Sequence, residues 1–283
     1  MWAPTARKSH GSAGWPVAKL RLDLLLVQLG LCETRAKAQA RILAGDVLVE
    51  DRPVTKAGTA IDEAAMIRLR GDALPFVSRG GLKLAGALDL WGIDPTGRVC
   101  FDAGSSTGGF TDCLLQRGAT RVYAVDVGTN QLHWKLRSDA RVVSMEQVNL
   151  RTWDPGLLKE PCSLLVADLS FISLRLAIPP ILPSLTPGAD AVLLVKPQFE
   201  AGRDDVGAGG IVRDPAVHRR VLVETWAFFA ESRLRPQALG LSPIKGGEGN
   251  SEFLLRLRLD AEPGELGAAL ASLIKPWGDA LPS

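Results

Sequence analysis

Apolar positions along this chain change period twice. Leu22, Leu25, Leu26 and Leu29 recur at helical spacing, and Gly30 follows as a stop. Thr34 can cap a second helix over Arg35 to Leu43, with Gly45 behind it. The period then shortens. Val47 and Val49 alternate as a short strand, a turn follows near Asp51 to Pro53, and Ile61 to Leu69 reads as further strand. Gly71, Asp72 and Pro75 break the pattern, and beyond Val77 a helix begins that carries Lys83. From there short apolar runs alternate with helical stretches. The runs are Val99–Phe101, Arg121–Asp126, Arg141–Ser144, Leu164–Asp168, Ala191–Lys196, Gln237–Ser242 and Phe253–Leu259. That alternation predicts an α/β domain on a mostly parallel sheet, preceded by a small α+β module.

The stretch Asp102 to Thr111, D-A-G-S-S-T-G-G-F-T, lies between the first of these runs and a helical pattern over Phe110 to Leu115. Gly104, Gly108 and Gly109 let the backbone turn sharply and approach a ligand. A strand, a glycine-rich turn and a helix form a nucleotide-type cofactor site at the carboxyl edge of a parallel sheet. The next run ends in Asp126, 22 residues after Gly104, where such a fold places an acid on a ribose hydroxyl. The dinucleotide fingerprint would need glycine where Ser106 stands. A ligand with an adenosine and no pyrophosphate fits better, and S-adenosylmethionine is the obvious one.

Charge and cysteine usage narrow the classes. The 283 residues carry a formal net charge of +2, which neither demands nor excludes nucleic acid. Cys32, Cys100, Cys113 and Cys162 are scattered and His10, His133 and His218 are isolated, so no zinc site, metal cluster or histidine-centred triad is expected. No run approaches the roughly 18 apolar residues of a membrane span. Residues 1–18 mix Pro, Gly, Ser and basic residues without the apolar centre of a secretory signal; they read as a disordered tail or the product of a misplaced start, and their lack of acids leaves a transit peptide as the lesser alternative.

Three charges stand at strand ends. Asp168 closes one buried run, Lys196 closes another, and Glu252 precedes the last. If that last strand is antiparallel, its start shares an edge with the ends of the others, and the three charges meet beside the cofactor turn.

Two resemblances follow from these residues. The order R-L-D, G-L-C-E-T-R, I-L-A-G-D-V-L-V resembles the S-four-type RNA-binding domain, in which the second helix and nearby loops present basic residues to RNA. Arg21, Arg35, Lys37, Arg41 and Lys56 occupy the matching places, while Glu50-Asp51 departs from the Asn-Gly common at that turn. The segments S-R-G-G-L-K-L, D-A-G-S-S-T-G-G-F-T-D, V-D-V-G-T-N-Q-L-H-W-K-L-R, V-A-D-L-S-F-I-S-L, L-V-K-P-Q-F-E-A-G-R and G-N-S-E-F-L resemble the TlyA family of ribosomal RNA 2′-O-methyltransferases, often labelled hemolysins, with a domain similar to the FtsJ group. The resemblance implies a Rossmann-like seven-stranded methyltransferase sheet with its last strand antiparallel. It implies a Lys-Asp-Lys-Glu tetrad at Lys83, Asp168, Lys196 and Glu252, and a cytidine ribose as the methyl acceptor. Lys196 is the candidate to activate the hydroxyl, with Lys83 supplying neighbouring charge and the two carboxylates orienting the lysines. The cofactor positions are Asp102, Gly104, Ser106, Gly108, Gly109, Phe110, Asp126 and Asn149, the last toward the adenine. The loop Glu200 to Pro215 could close over RNA, with Arg203 and Arg213 near phosphates, or equally be a flexible connection.

The expected division is a tail over 1–18, an RNA-binding domain over 19–70, a linker over 71–77, a methyltransferase domain over 78–262 and a tail or helix over 263–283. The expected partners are ribosomal RNA or assembled ribosomal subunits, in the cytoplasm and without stable membrane association. Two other classes stay open: a non-catalytic RNA-binding protein that keeps the cofactor fold, against which the complete tetrad speaks, and a membrane-active cytolysin, for which no cationic amphipathic segment is found.

Overall fold

A computed structural model describes residues 19–63, 65–70, 75–246 and 249–277. The tail expected over 1–18 and most of the expected linker lie outside the described residues. Contacts divide the chain into two units, one formed by the described residues up to 70 and one by residues 75–277.

The first unit runs β1 (Lys19–Arg21), α1 (Leu22–Gln28), α2 (Arg35–Leu43), β2 (Val47–Val49), β3 (Arg52–Pro53), β4 (Ala60–Asp62) and β5 (Ile67–Leu69). Its core is Leu22, Leu26, Ala38, Ile42, Val47 and Leu69, the inner faces of two amphipathic helices against short strands. Thr34 caps α2 by accepting from the Lys37 amide. The run Ile61 to Leu69 is two strands rather than one: β4 pairs with β1, while β5 pairs with β2 in a separate sheet. The polar Asp62-Glu63 pair breaks the run, and a turn closes there with the Ala65 amide donating to the Asp62 carbonyl at 2.9 Å. Between β2 and β3, Glu50 and Asp51 both adopt positive φ, 50° and 62°, the conformation of a two-residue hairpin turn that favours Asn-Gly. Their carboxylates are engaged locally: Glu50 accepts from the Met66 amide at 2.8 Å and Asp51 from Arg68 Nε at 2.8 Å.

The second unit contains α3 (Gly80–Trp91), β6 (Val99–Ala103), α4 (Gly109–Gln116), β7 (Arg121–Val125), α5 (Trp134–Arg137), β8 (Val142–Met145), β9 (Cys162–Ala167), α6 (Leu174–Ala177), β10 (Leu185–Val195), α7 (Pro197–Glu200), α8 (Pro215–Ala230), β11 (Leu234–Leu241), β12 (Phe253–Leu259) and α9 (Leu266–Trp277). The seven strands form one sheet in the order β11-β12-β10-β9-β6-β7-β8. β12 is antiparallel to both its neighbours, and the pairs from β10 through β8 are parallel. Strand order reverses between β6 and β9, which opens a crevice at their carboxyl ends.

Both faces of the sheet are covered, which is why its strands read as nearly continuous apolar runs. Cys100, Val122, Leu164, Val166, Val192, Leu194 and Leu254 face α3 and α4, with Leu84, Leu88, Phe110 and Leu114. Phe101, Ala103, Val125, Leu165, Ala167, Leu193 and Val195 face the opposite side, with Leu174, Val221, Trp226 and Phe229. Helix α9 packs Ala269, Leu270 and Leu273 into that second face, so the compact unit continues past residue 262. Among the described residues no helix is long and apolar enough to cross a membrane.

Candidate active site

Strand alternation decides which side chains share the crevice. Asp168 follows Val166 by two positions, Lys196 follows Leu194 by two, and Glu252 precedes Leu254 by two. All three partners lie on the face that packs against α3, so the charges emerge on that face as well. Register brings them level: Val195 pairs with Phe253, which sets Lys196 beside Glu252, and Ala167 pairs with Leu193, two residues from Val195. Lys83 comes from α3, whose Leu84 and Leu88 cover the same face.

The four side chains form a continuous row. Glu252 Oε2 lies 2.6 Å from Lys83 Nζ, which is 3.7 Å from Asp168 Oδ2. Asp168 Oδ1 lies 2.6 Å from Lys196 Nζ, which donates to Ser170 Oγ at 3.0 Å. The Glu252 side chain is the deepest at 2% exposed and Asp168 the most open at 19%. Burial pushes the Glu252 carboxyl up from its ordinary value, and Lys83, then Lys196, oppose that rise. Each ammonium therefore touches a carboxylate, the condition under which ions are retained in a buried site.

The glycine-rich turn adjoins this row. The Gly104 amide donates to the Val125 carbonyl at 2.8 Å, and the Asp168 amide donates to the Ala103 carbonyl at 3.1 Å. Gly104 has φ +80°, and a Cβ there would meet the Asp168 carbonyl oxygen at 2.8 Å. Its missing side chain thus admits the end of β9 as well as any ligand. Asp126 accepts from the Ser106 amide at 2.8 Å and from the Gly128 amide at 2.7 Å, which fixes the turn to the end of β7. A Cβ on Gly109 would lie 2.3 Å from Ser78 Oγ and 2.8 Å from the Gly81 amide nitrogen, so the starts of α3 and α4 touch through bare backbone.

Asp102 is fully buried. Its Oδ2 accepts from Thr111 Oγ1 at 2.6 Å, while Oδ1 has no hydrogen-bond partner. Burial pushes its carboxyl up to about 7, against the Thr111 hydrogen bond, with Asp168 and Asp126 adding to the rise. With Asp102 buried beneath them, the carboxyl groups of Asp126 and Asp168 flank the glycine turn, a surrounding that suits a cationic ligand. S-adenosylmethionine, with a sulfonium and an ammonium group, has that character.

Two further expected cofactor residues, Phe110 and Asn149, also make contacts within the protein. Phe110 packs its ring in the core with Leu84 and Leu114. Asn149 is exposed and its side chain accepts from the Arg151 amide at 3.0 Å, capping a short 3-10 helix. Several residues around the row escape sequence reasoning: Ser170, Phe171, Phe199 and Glu200. They follow strand ends, Ser170 and Phe171 in an irregular segment and Phe199 and Glu200 in the one-turn helix α7, where no period marks them. Phe171 is 91% exposed with φ 63°, and its ring lies 5.0 Å from that of Phe199, over which Lys196 Nζ stands at 5.8 Å.

In the first unit, Asp23 is buried and joins two of the expected RNA-binding residues. Arg21 Nη2 approaches it at 3.0 Å and Arg35 Nε at 2.8 Å, with Gln39 donating at 2.8 Å. The Arg21 hydrogen bond holds the Asp23 carboxyl well below the usual carboxylate range. Lys37 pairs with Glu33 at 2.5 Å, whereas Arg41 and Lys56 are exposed and make no ion pair among the described residues.

Comparison with known proteins agrees with this architecture. The FtsJ-like methyltransferase family matches residues 76–259 and the S4 domain matches residues 20–67. A candidate rRNA methyltransferase of Bacillus subtilis (strain 168), YqxC, is 50% identical over 86% of this chain and 87% of its own. The 16S/23S rRNA (cytidine-2′-O)-methyltransferase TlyA of Mycobacterium tuberculosis (strain ATCC 25618 / H37Rv) is 42% identical over 86% of this chain and 91% of its own. A solved structure of a hemolysin candidate from Streptococcus thermophilus superposes with a TM-score of 0.72 at 43% identity, covering 91% of this chain and 95% of that one. The chain belongs to the FtsJ-like methyltransferases, in the TlyA branch that joins an S4 domain to the catalytic fold.

Proposed function

We propose that this protein transfers a methyl group from S-adenosylmethionine to the ribose 2′-hydroxyl of a cytidine in ribosomal RNA, in the cytoplasm. The observation that supports this reading most directly is the row Glu252, Lys83, Asp168, Lys196 beside the glycine turn. A ribose hydroxyl is a weak nucleophile until its proton is drawn off. The sulfonium cofactor supplies a methyl group that is already electrophilic.

The protein's own part is to place the hydroxyl and remove its proton. Lys196, at the end of β10, is the group placed to draw off that proton. Asp168 and Ser170 hold its nitrogen in place, and Lys83 balances the charge of Asp168 and Glu252. Alignment of the attacking oxygen contributes up to roughly 7–11 kcal/mol in favourable intramolecular cases. Phe171 and Phe199 offer an aromatic surface at the mouth of the crevice. An unstacked base can rest there, as single-stranded RNA bases do on aromatic side chains. In the S4 unit, Arg21, Arg35, Lys37, Arg41 and Lys56 hold phosphates. Gly104, Gly108, Gly109, Ser106, Asp102 and Asp126 frame the cofactor.

The test is transfer of labelled methyl to ribosomal subunits and to free rRNA, with wild type beside Lys196→Ala. Digestion of the product locates the label. A 2′-O-methylcytidine made by wild type alone is the expected result. A protein that binds the cofactor but labels no form of rRNA has another acceptor.

A further inference from the structure

We propose that Glu200 is a positioning residue that latches the turn after β9 to the turn after β10, and so sets Asp168, Ser170 and Phe171 against Lys196 and Phe199. The inference rests on the reading above that these residues form the acceptor site.

Glu200 is buried, 7% exposed, at the end of α7. Its Oε2 accepts from Ser173 Oγ at 2.6 Å and its Oε1 accepts from the Leu174 amide at 2.7 Å. Arg175 adds a second strap, with Nε 3.6 Å from the carboxylate and Nη2 donating to the Glu200 carbonyl at 3.1 Å. These contacts span the two strand-end turns. One side is rigid: the Phe199 amide donates to the Lys196 carbonyl at 2.9 Å and the Ala201 amide to the Pro197 carbonyl at 2.8 Å, so a single helical turn couples Lys196 to Glu200. The other side is strained, because Phe171 sits at φ 63°, a conformation non-glycine residues hold only when their surroundings impose it.

The contacts close a ring. Lys196 leads through α7 to Glu200, Glu200 to Ser173 and Leu174, and that turn back through Ser170 to Lys196 Nζ at 3.0 Å. The Phe171 and Phe199 rings meet across it. Capping of α6 alone does not require this carboxylate, since Ser173 already caps that helix by accepting from the Arg175 amide at 3.2 Å. A buried carboxylate is costly to keep, and here it is spent on joining two turns.

Three full-length variants test the latch, Glu200→Ala, Glu200→Gln and Ser173→Ala, by amide hydrogen exchange and by methyl transfer to rRNA. Glutamine can still accept the Leu174 amide and pair with the Ser173 hydroxyl. Glu200→Ala should speed exchange across residues 169–174, on the opposite turn, by at least about tenfold. It should lower kcat by about 10²-fold at saturating RNA and cofactor, the scale of a misplaced catalytic group. Cofactor affinity should stay unchanged, and Glu200→Gln should recover most of both losses. Ser173→Ala should show the same pattern more weakly, and it decides the matter if Glu200→Ala does not fold. Unchanged exchange at 169–174, wild-type kcat in Glu200→Ala, or a glutamine variant as impaired as the alanine one would each overturn the latch. If the wild type labels no rRNA, the acceptor assignment fails, while the exchange measurement still decides whether the two turns are joined.

Discussion

Lys83 and Lys196 belong to one row of charges but hold different positions in it. Lys83 lies between Glu252 at 2.6 Å and Asp168 at 3.7 Å, whereas Lys196 has Asp168 on one side and a neutral hydroxyl on the other. Removing Lys83 leaves the 2%-exposed Glu252 without its nearest cation. Lys83→Ala should therefore cost about 3–5 kcal/mol of stability in urea unfolding, as breaking a buried ion pair does. Lys196→Ala should cost much less and still abolish methyl transfer. Equal stability losses would mean that the two lysines are interchangeable supports. Asp102 gives a prediction of opposite pH sign to most carboxylates. Its folded value of about 7 lies above the ordinary 3.8, so the folded protein holds the proton more tightly than the unfolded chain. The stability this contributes is fully present below pH about 4 and is lost as pH rises through about 7. Asp102→Asn removes the dependence, so its Tm relative to wild type should climb between pH 5 and pH 8. A flat difference would show that Asp102 is ionised throughout that range.

At the scale of elements, the contact between α3 and α4 is an exacting one. Gly109→Ala would place a methyl group 2.3 Å from Ser78 Oγ and 2.8 Å from the Gly81 amide nitrogen. Over-packing of this kind costs about 1–3 kcal/mol, read as a lower urea midpoint at constant slope. It should also weaken cofactor binding, because the start of α4 is one wall of the glycine turn. Unchanged stability would mean that the helices part freely. Much of this geometry is legible in the sequence, because a buried parallel strand leaves little freedom. Its length, its apolar run and the charge at its end together fix where Asp168, Lys196 and Glu252 emerge. The rest depends on partners distant in sequence. Glu200 meets Ser173 and Leu174 across 27 and 26 positions, and nothing in its neighbourhood marks it as buried. Phe110 continues the glycine motif, yet its place is set by α3, which only the folded chain brings against it. The split of the run Ile61 to Leu69 between two sheets turns on a polar pair too short to read as a boundary.

At the scale of the whole molecule, the proposed function assigns holding RNA and reacting with it to different units, and the two should fail in different ways. Arg21 and Arg35 are committed to Asp23 and Lys37 to Glu33, while Arg41 and Lys56 make no ion pair among the described residues. A cation that is already paired releases fewer counterions on meeting a phosphate, so the exposed pair should carry more of the salt-dependent binding. Replacing Arg41 and Lys56 by alanine should reduce the slope of log affinity against log salt by about 0.7–0.9 for each phosphate that these side chains neutralise. KM for RNA should rise while kcat at saturating RNA holds. Phe171→Ala should do the reverse. Stacking is worth about 1–3 kcal/mol per base and carries no charge, so turnover should fall with the salt slope intact. A slope unmoved by the double substitution would place the RNA grip elsewhere on the chain. A kcat that falls with it would mean that the basic surface of the S4 domain takes part in the chemical step, and holding and reacting would then be a single event.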